Sequence, residues 1–295
     1  MSLNGILVID KPTGVTSRAM VDAVARRLPG ARVGHAGTLD PLATGVLVVC
    51  VGAATRLVET IQGLAKTYKV AIRLGAHSDT LDADGQIEFD ESPPIPGLEE
   101  ITAALAPFHG VIQQIPPRFS ALKVAGRRSY DLARQGTVVE LKARPVRIDR
   151  VAVLDYAWPI LSLEVDCGGG TYIRSLARDI GEALGSSGYV QTLRRTRIGG
   201  FTLDQAISPD VLESGVVAEM LLDQSLAVRH LPRIVIDPTE TAAIALGKRI
   251  ASRHAPSSDD PSAKSIALVD QAGALVALAE LDPAGGWLQP RKVLI

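Results

Sequence analysis

The 295-residue sequence has only two cysteines, Cys50 and Cys167, and no long apolar run. Neither cysteine has a second cysteine or a histidine at metal-ligand spacing, so the pattern predicts no zinc site. No segment reaches the roughly 18 apolar residues of a membrane helix, and the first ten residues lack the basic and apolar regions of a signal peptide. We therefore expect a cytoplasmic protein without membrane contacts.

The sequence also lacks a complete nucleotide-binding motif. Residues 168–171 (Gly-Gly-Gly-Thr) precede a predicted helix, whose N-terminus could accept a phosphate. Neither Gly-Lys-Ser/Thr nor Gly-x-Gly-x-x-Gly is present to complete a fingerprint. The run therefore does not predict a nucleotide hydrolase.

Basic residues are missing from one long segment. Between residues 74 and 117 there is no lysine or arginine, whereas eight acidic residues lie there. Between residues 118 and 150 the balance reverses to nine basic and three acidic side chains, a net charge of +6 in a chain whose total is −1. Segregated charge of this kind favours nucleic-acid binding over a uniformly solvated surface.

The apolar content is sufficient for a sizeable core. A chain of this length with 46% hydrophobic residues buries roughly three quarters of its unfolded surface, in one large or two unequal domains. Periodicity predicts strands at 5–10, 46–51, 66–74, 146–156, 160–167 and 189–196, and helices at 17–28, 55–64, 99–106 and 172–184. Short strands at 234–236, 266–269, 274–281 and 292–295 indicate a small β-rich domain from about residue 231.

The most informative stretch is Gly-His-Ala-Gly-Thr-Leu-Asp-Pro-Leu-Ala-Thr-Gly at residues 34–45, which leads into a predicted strand. Its glycines let the backbone bend closely around a ligand, and Pro41 biases Asp40 toward an extended backbone that aims the carboxylate from a fixed direction. The alternative is a tight turn in which the aspartate accepts a backbone N–H. Arg174, on the first turn of the last long predicted helix, is a candidate partner for Asp40 if its guanidinium is buried.

Four further motifs accompany this stretch in the chain. They are Lys-Pro-x-Gly-x-Thr-Ser at 11–17, Lys-x-Tyr at 66–68, Pro-Pro-x-x-Ser-Ala-x-Lys at 116–123 with its continuation to 134, and Gly-Thr-Tyr-Ile-Arg at 170–174. Together with the Gly-His-x-Gly-x-Leu-Asp-Pro motif at 34–41, they resemble the TruB family of tRNA pseudouridine-55 synthases. The matches span about residues 5 to 200 in the same order as in that family.

The resemblance implies an α+β protein with the pseudouridine synthase fold. This fold has a mixed, mostly antiparallel central sheet flanked by helices, followed by a small C-terminal β-rich (PUA-like) domain. The implied division is a catalytic domain at residues 1–230, with a basic RNA-gripping insertion at 116–145, and an RNA-binding domain at 231–295.

The resemblance also implies the chemistry. Asp40 would attack either the ribose anomeric carbon or the uracil ring, so that the base detaches, turns and rejoins through carbon. Tyr68 would stack on the flipped uracil and is a candidate for proton removal, and Arg174 would pair with Asp40. The isomerisation involves no redox change and no phosphate transfer, so no cofactor or metal is expected.

The remaining implied roles concern RNA recognition. His35 would fill the gap left by the extruded base, and Tyr172 and Leu193 would line the pocket. Extruding a base costs a few kcal/mol, which an aromatic platform and a wedge offset. The insertion would close over the T arm of tRNA through its basic side chains, which are Arg118, Lys123, Arg127, Arg128 and Arg134. A monomer without a protein partner is expected.

Other interpretations remain open from the residues alone. Taken singly, Tyr68 and Leu193 fit core positions, His35 fits a turn, and Arg195 and Arg197 fit a solvated face. The whole chain could be a non-catalytic tRNA-binding or RNA-chaperone protein. A less favoured interpretation is an aspartyl-phosphate transferase, since residues 10–14 (Asp-Lys-Pro-Thr-Gly) are similar to a phosphorylation loop that the proline interrupts.

Overall fold

The computed structural model describes residues 3–119, 123–124, 127–128, 141–213, 216–252, 265–282 and 286–295. The first thirteen strands are β1 (Gly5–Lys11), β2 (Val33–His35), β3 (Thr44–Val51), β4 (Lys66–Leu74), β5 (Ala76–Ser78), β6 (Ile87–Phe89), β7 (Gly110–Gln114), β8 (Lys123–Val124), β9 (Arg127–Arg128), β10 (Arg144–Ala157), β11 (Ile160–Cys167), β12 (Gly188–Ile198) and β13 (Phe201–Thr202). The last five are β14 (Arg233–Val235), β15 (Ile250–Ala251), β16 (Ile266–Val269), β17 (Leu275–Leu281) and β18 (Trp287–Val293).

Helices are fewer and shorter than strands. The α-helices are α1 (Ser17–Arg27), α2 (Val58–Gly63), α3 (Leu98–Leu105), α4 (Ile173–Ala183), α5 (Pro209–Glu213) and α6 (Pro238–Ala245). Short 3-10 helices cover Gly52–Leu57, Ala106–Phe108, Leu203–Gln205 and Gln224–Val228. No helix among the described residues is long and apolar enough to span a bilayer.

A nine-stranded sheet forms the centre of the molecule. Its order is β1-β3-β12-β4-β11-β10-β7, with β2 beside β3 and β13 beside β12. Strands β3 and β12 are parallel, and the other neighbouring pairs are antiparallel, which confirms the mixed, mostly antiparallel prediction. One face of the sheet packs against α1, α3 and α4 through a large apolar cluster. The placement of β12 between β3 and β4 brings together residues that lie far apart in the sequence.

A second, five-stranded sheet follows in the order β14-β16-β17-β18-β15. It has an apolar cluster of its own, to which Ile244 of α6 contributes. The predicted C-terminal β domain is therefore confirmed, although its last strand, predicted at 292–295, spans Trp287–Val293, and β15 and α6 were not predicted. The signal for α6 is the capping box in which Asp237 accepts the Glu240 N–H at 2.8 Å and Glu240 accepts the Asp237 N–H at 3.1 Å.

One predicted helix, at 55–64, is only partly correct. Its first residues belong to the 3-10 helix Gly52–Leu57, and the α-helical turn starts at Val58. The hydroxyl of Thr55 donates to the Gly52 carbonyl at 2.7 Å, three residues back, which fits the tighter 3-10 geometry. Threonine hydroxyls compete for backbone carbonyls in this way, and apolar periodicity alone does not reveal it.

Candidate active site

The turn that carries Asp40 is fixed by side chains from β1 and α1. Ser17 is buried; its hydroxyl accepts the Leu39 N–H at 2.8 Å and donates to the Leu39 carbonyl at 2.9 Å. Lys11, also fully buried, donates from Nζ to the Pro41 carbonyl at 3.2 Å. The backbone on both sides of Asp40 therefore has fixed partners, which holds the carboxylate in one place.

Arg174 binds Asp40 from the opposite side of the site. Its Nε lies 2.9 Å from Asp40 Oδ2, and its Nη1 lies 3.4 Å from Oδ2 of Asp82. Two further N–H groups donate to the carbonyls of Thr80 and Phe119, both at 2.8 Å. The Arg174 side chain is 7% exposed and that of Asp40 is 36% exposed, so the pair joins a buried cation to an accessible carboxylate. The structure therefore contains the ion pair that the sequence predicted.

Asp82 is a member of the site that the sequence did not reveal. It is 4% exposed, and burial is the main cause that raises the pKa of its carboxyl, opposed by the Thr80 hydroxyl and by Arg174. The sequence places it in a turn between two strands, where aspartate is ordinary. Only its contact with the distant Arg174 distinguishes it from other turn residues.

A cavity of about 360 Å³ lies beside Asp40. Tyr68, Tyr172 and Leu193 line it together with Asp40 and Arg174, so the structure brings these five predicted site residues together. Burial raises the pKa of Tyr68, an effect that Arg195 partly offsets. The cavity thus combines aromatic walls with one accessible carboxylate, an arrangement suited to a flat polar ring.

The Tyr172 wall is supported from two sides. The buried amide of Gln114 accepts the Tyr172 N–H at 2.9 Å and donates to the Tyr172 carbonyl at 3.1 Å. The guanidinium of Arg144 lies 4.9 Å from the centre of the Tyr172 ring, at cation–π distance. His35, by contrast, lies on β2 opposite Val49, two residues before the first cavity-lining residue, Gly37.

The position of Arg195 contradicts its interpretation as a solvated surface residue. Taken singly, it fits a solvated face together with Arg197, but it is 1% exposed and lines the cavity. At Arg195, β12 is flanked by β3 and β4, and a register irregularity separates this residue from Arg197. Arg197 remains half-buried and contacts Asp166 at 3.3 Å, so the interpretation is wrong mainly for Arg195.

The predicted RNA-contacting residues are only partly within the described structure. Arg118 is exposed. The backbones of Lys123 and Arg128 pair across the short ladder formed by β8 and β9, to which Arg127 also belongs. Arg134 lies outside the described residues. Among the residues that are described, no group of three or more His, Cys, Asp and Glu side chains could hold a metal ion.

Comparison with known proteins identifies the family. The model of the TruB family pseudouridylate synthase N-terminal domain matches residues 25–173, and that of the tRNA pseudouridylate synthase B C-terminal domain matches residues 174–243. The chain belongs to the TruB family of pseudouridylate synthases. A TruB relative from Corynebacterium diphtheriae, named tRNA pseudouridine synthase B, is 41% identical over 92% of this chain and 93% of its own length.

Other TruB proteins and related structures extend this result. The Mycobacterium tuberculosis tRNA pseudouridine synthase B is 45% identical over 83% of this chain and 84% of its own, and the Xanthomonas campestris protein is 40% identical over 99% and 94%. An H/ACA RNP bound to a substrate RNA containing 2'-deoxyuridine has a chain with a TM-score of 0.76 at 24% identity, covering 99% of this chain and 85% of that one. That likeness shows that the TruB chain and the RNP chain share one fold.

Proposed function

We propose that this TruB protein isomerises uridine to pseudouridine at position 55 in the T loop of tRNA, with Asp40 as the nucleophile. The observation that carries the proposal is the ion pair at 2.9 Å between Arg174 and an Asp40 carboxylate that remains 36% exposed beside the cavity. The names of the TruB relatives, tRNA pseudouridine synthase B, support tRNA as the substrate. The conclusion is an intramolecular transferase that acts on RNA.

The proposed reaction balances within the substrate and the side chains. Asp40 attacks the ribose anomeric carbon or the uracil ring, the glycosidic carbon–nitrogen bond breaks, and the base rotates inside the cavity. A bond then forms between uracil C5 and the anomeric carbon, and Asp40 is released. The C5 proton leaves to a base, and N1, which has lost its bond to the ribose, takes up a proton. Tyr68 is our candidate platform for the uracil ring, and its hydroxyl is a candidate for that base.

A cavity of this size fits one extruded base. At about 360 Å³ it falls at the small end of ligand sites, which span roughly 300 to 1,000 Å³. Enzymes that act on a base in structured RNA remove it from its stack, at a cost of a few kcal/mol. We propose that Tyr172 and Leu193 hold the flipped uracil and that His35, just outside the cavity lining, occupies the space that the base leaves.

We further propose that the basic segment at 116–145 grips the T arm. The candidate contacts are Arg118, Lys123, Arg127, Arg128 and Arg134. Replacement of Arg127 and Arg128 by alanine is expected to weaken tRNA binding and to reduce the slope of log affinity against log salt by about one to two. Binding measured between low and moderate salt tests this, and an unchanged slope would remove both arginines from the interface.

The proposal extends to the domain division, the cellular location and the oligomeric state. We propose that residues 1–230 form the catalytic domain, that residues 231–295 form a second RNA-binding domain, and that the protein acts as a cytoplasmic monomer. The apolar cluster around Ile244 and Leu268 supports this division, and a second cluster joins the C-terminal sheet to β1 and β3. Size-exclusion chromatography with light scattering tests the monomer, and tRNA binding after removal of residues 231–295 tests the RNA-binding role.

The decisive experiment is tritium release from tRNA labelled at uracil C5, comparing wild type with Asp40→Asn. The asparagine side chain has a similar shape but cannot act as a carboxylate nucleophile, so we expect release by the wild type and none by the variant, with tRNA binding retained. A wild type that binds tRNA without releasing tritium would instead support a non-catalytic RNA-binding protein. Full activity of the variant would remove Asp40 from the chemistry.

A further inference from the structure

Arg195 is buried without a carboxylate partner among the described residues. Its guanidinium donates from Nε to the Val46 carbonyl at 2.8 Å, from Nη2 to the Gly37 carbonyl at 3.0 Å and from Nη1 to the Thr38 carbonyl at 3.4 Å. Burying a cation costs free energy unless its hydrogen bonds are satisfied. These hydrogen bonds to backbone carbonyls before and after the turn that carries Asp40 offset that cost.

The backbone of Arg195 is held as tightly as its side chain. It is paired with Tyr68 on β4 and with Gly45 on β3, so it joins a strand that lines the cavity to the strand that follows the Asp40 turn. Gly45 has a φ of +99°, and a Cβ at this position would overlap the Arg195 carbonyl oxygen. The glycine that closes the turn therefore permits the close approach that places Arg195 beneath it.

We propose that Arg195 is a positioning residue for the isomerisation: its guanidinium fixes the N-terminal side of the Asp40 turn relative to Tyr68 across β12. This rests on the proposed function. Ser17 and Lys11 hold the turn at Leu39 and Pro41, whereas Arg195 binds the carbonyls of Gly37 and Thr38. Loss of the guanidinium removes these hydrogen bonds between the first half of the turn and the sheet beneath, and the carboxylate shifts relative to the base.

The test compares two arginines of one strand. Arg195→Ala is expected to lower the single-turnover rate constant about 100-fold, since a displacement of about 1 Å has that effect, while the Kd for tRNA stays unchanged. Arg195→Lys retains the charge but not the planar fork, and we expect a loss of about tenfold. Arg197→Ala is the matched control: it lies two residues along β12 and pairs with Asp166 of β11 instead of with the turn.

Guanidinium ion separates positioning from packing. Added at millimolar concentration to Arg195→Ala, it can enter the space that the side chain leaves and bind the same carbonyls. We expect it to restore part of the lost rate, whereas methylammonium at equal ionic strength should not. Wild type and Arg197→Ala, measured in the same solutions, correct for effects of the ion on RNA binding.

The outcomes keep the two proposals apart. Inactive wild type would contradict the isomerase function itself, whereas normal turnover by Arg195→Ala or Arg195→Lys in an active background would contradict only the positioning role. The positioning role would also be overturned if the rate constant, the tRNA affinity and the thermal midpoint of Arg195→Ala all fell together and guanidinium restored none of the rate. If Arg195→Ala does not fold, Arg195→Lys decides: a reduced rate at unchanged Kd supports positioning.

Discussion

The two sheets of this TruB protein differ in what they bury. Ten polar or charged residues are buried in the described structure, and all of them lie between Lys11 and Arg195, around the nine-stranded sheet. In the five-stranded sheet the buried side chains among the described residues are apolar, and the charged ones, such as Glu280 and Arg291, are half-buried or exposed. Buried polar groups cost free energy unless they are paired. Around the first sheet, three of these buried residues, Lys11, Ser17 and Arg195, are paired with the backbone of the Asp40 turn.

This contrast indicates which substitutions should separate stability from activity. Around the cavity, the same side chains contribute to stability and to the geometry of the site, because the buried groups that bind one another also hold Asp40. In the cluster confined to the second sheet, we expect packing to contribute to stability alone. Substitutions in the two regions should therefore have distinct signatures in unfolding and in single-turnover kinetics.

The largest effect is expected at Arg174. Arg174→Met leaves Asp82 buried without its cation, which should lower the free energy of unfolding by about 3–5 kcal/mol and abolish measurable isomerisation. Adding Asp82→Leu removes the unpaired carboxylate, so the double variant should recover most of the stability and none of the activity. Urea unfolding and tritium release measure the two quantities. Recovery of both would show that the pair serves folding alone.

A core truncation in the second sheet should affect stability without chemistry. Leu268 is fully buried in β16, and Leu268→Ala is expected to cost about 2–4 kcal/mol through lost burial and a residual cavity. The single-turnover rate constant at saturating enzyme should remain that of wild type. Leu163→Ala, at a fully buried position of β11, is the matched control in the first sheet. A changed rate in Leu268→Ala would mean that the second sheet supports the catalytic geometry.

Lys66 should make the stability of the first sheet depend on pH. Burial lowers its pKa to about 8, although Nζ donates to the carbonyls of Gln62 and Leu64. Between pH 8 and 10.5 the unfolded lysine holds a proton that the folded one has lost, so wild-type stability rises with pH in this window. Relative to Lys66→Met, we expect a gain of about 1–2 kcal/mol from about pH 8 to about pH 10. Urea midpoints at these pH values test it, and parallel curves would contradict it.

Local patterns predicted the elements more completely than the site. The strands at 66–74 and 160–167 were predicted to the residue, because alternating burial is a property of the strand itself. The Asp40–Arg174 pair was expected from residue chemistry and the family motifs. By contrast, Arg195 lies in the sequence beside Arg194, which is 40% exposed and pairs with Asp10, and nothing in the local pattern separates them.

What the sequence could not show depends on non-local placement. Arg195 reaches the Asp40 turn because β12 lies beside β3, and Asp82 becomes part of the site because the turn after β5 reaches α4. Gln114 is a third example. Its side chain on β7 binds the backbone of Tyr172, which lies far from it in the sequence. Each of these contacts is set by the order of strands, which periodicity does not encode.

The smallest expected effect lies on the surface of the second sheet. Arg291 on β18 binds Glu280 on β17 at 2.8 Å, and both side chains are exposed, at 58% and 41%. Water already solvates both charges, and holding two long side chains together costs entropy, so a double-mutant cycle with alanine should give a coupling of about 0.2–1 kcal/mol that shrinks with added salt. The same cycle at Arg174 and Asp82 should give a larger, salt-insensitive value. Equal couplings would mean that burial does not distinguish the ion pairs of the two sheets.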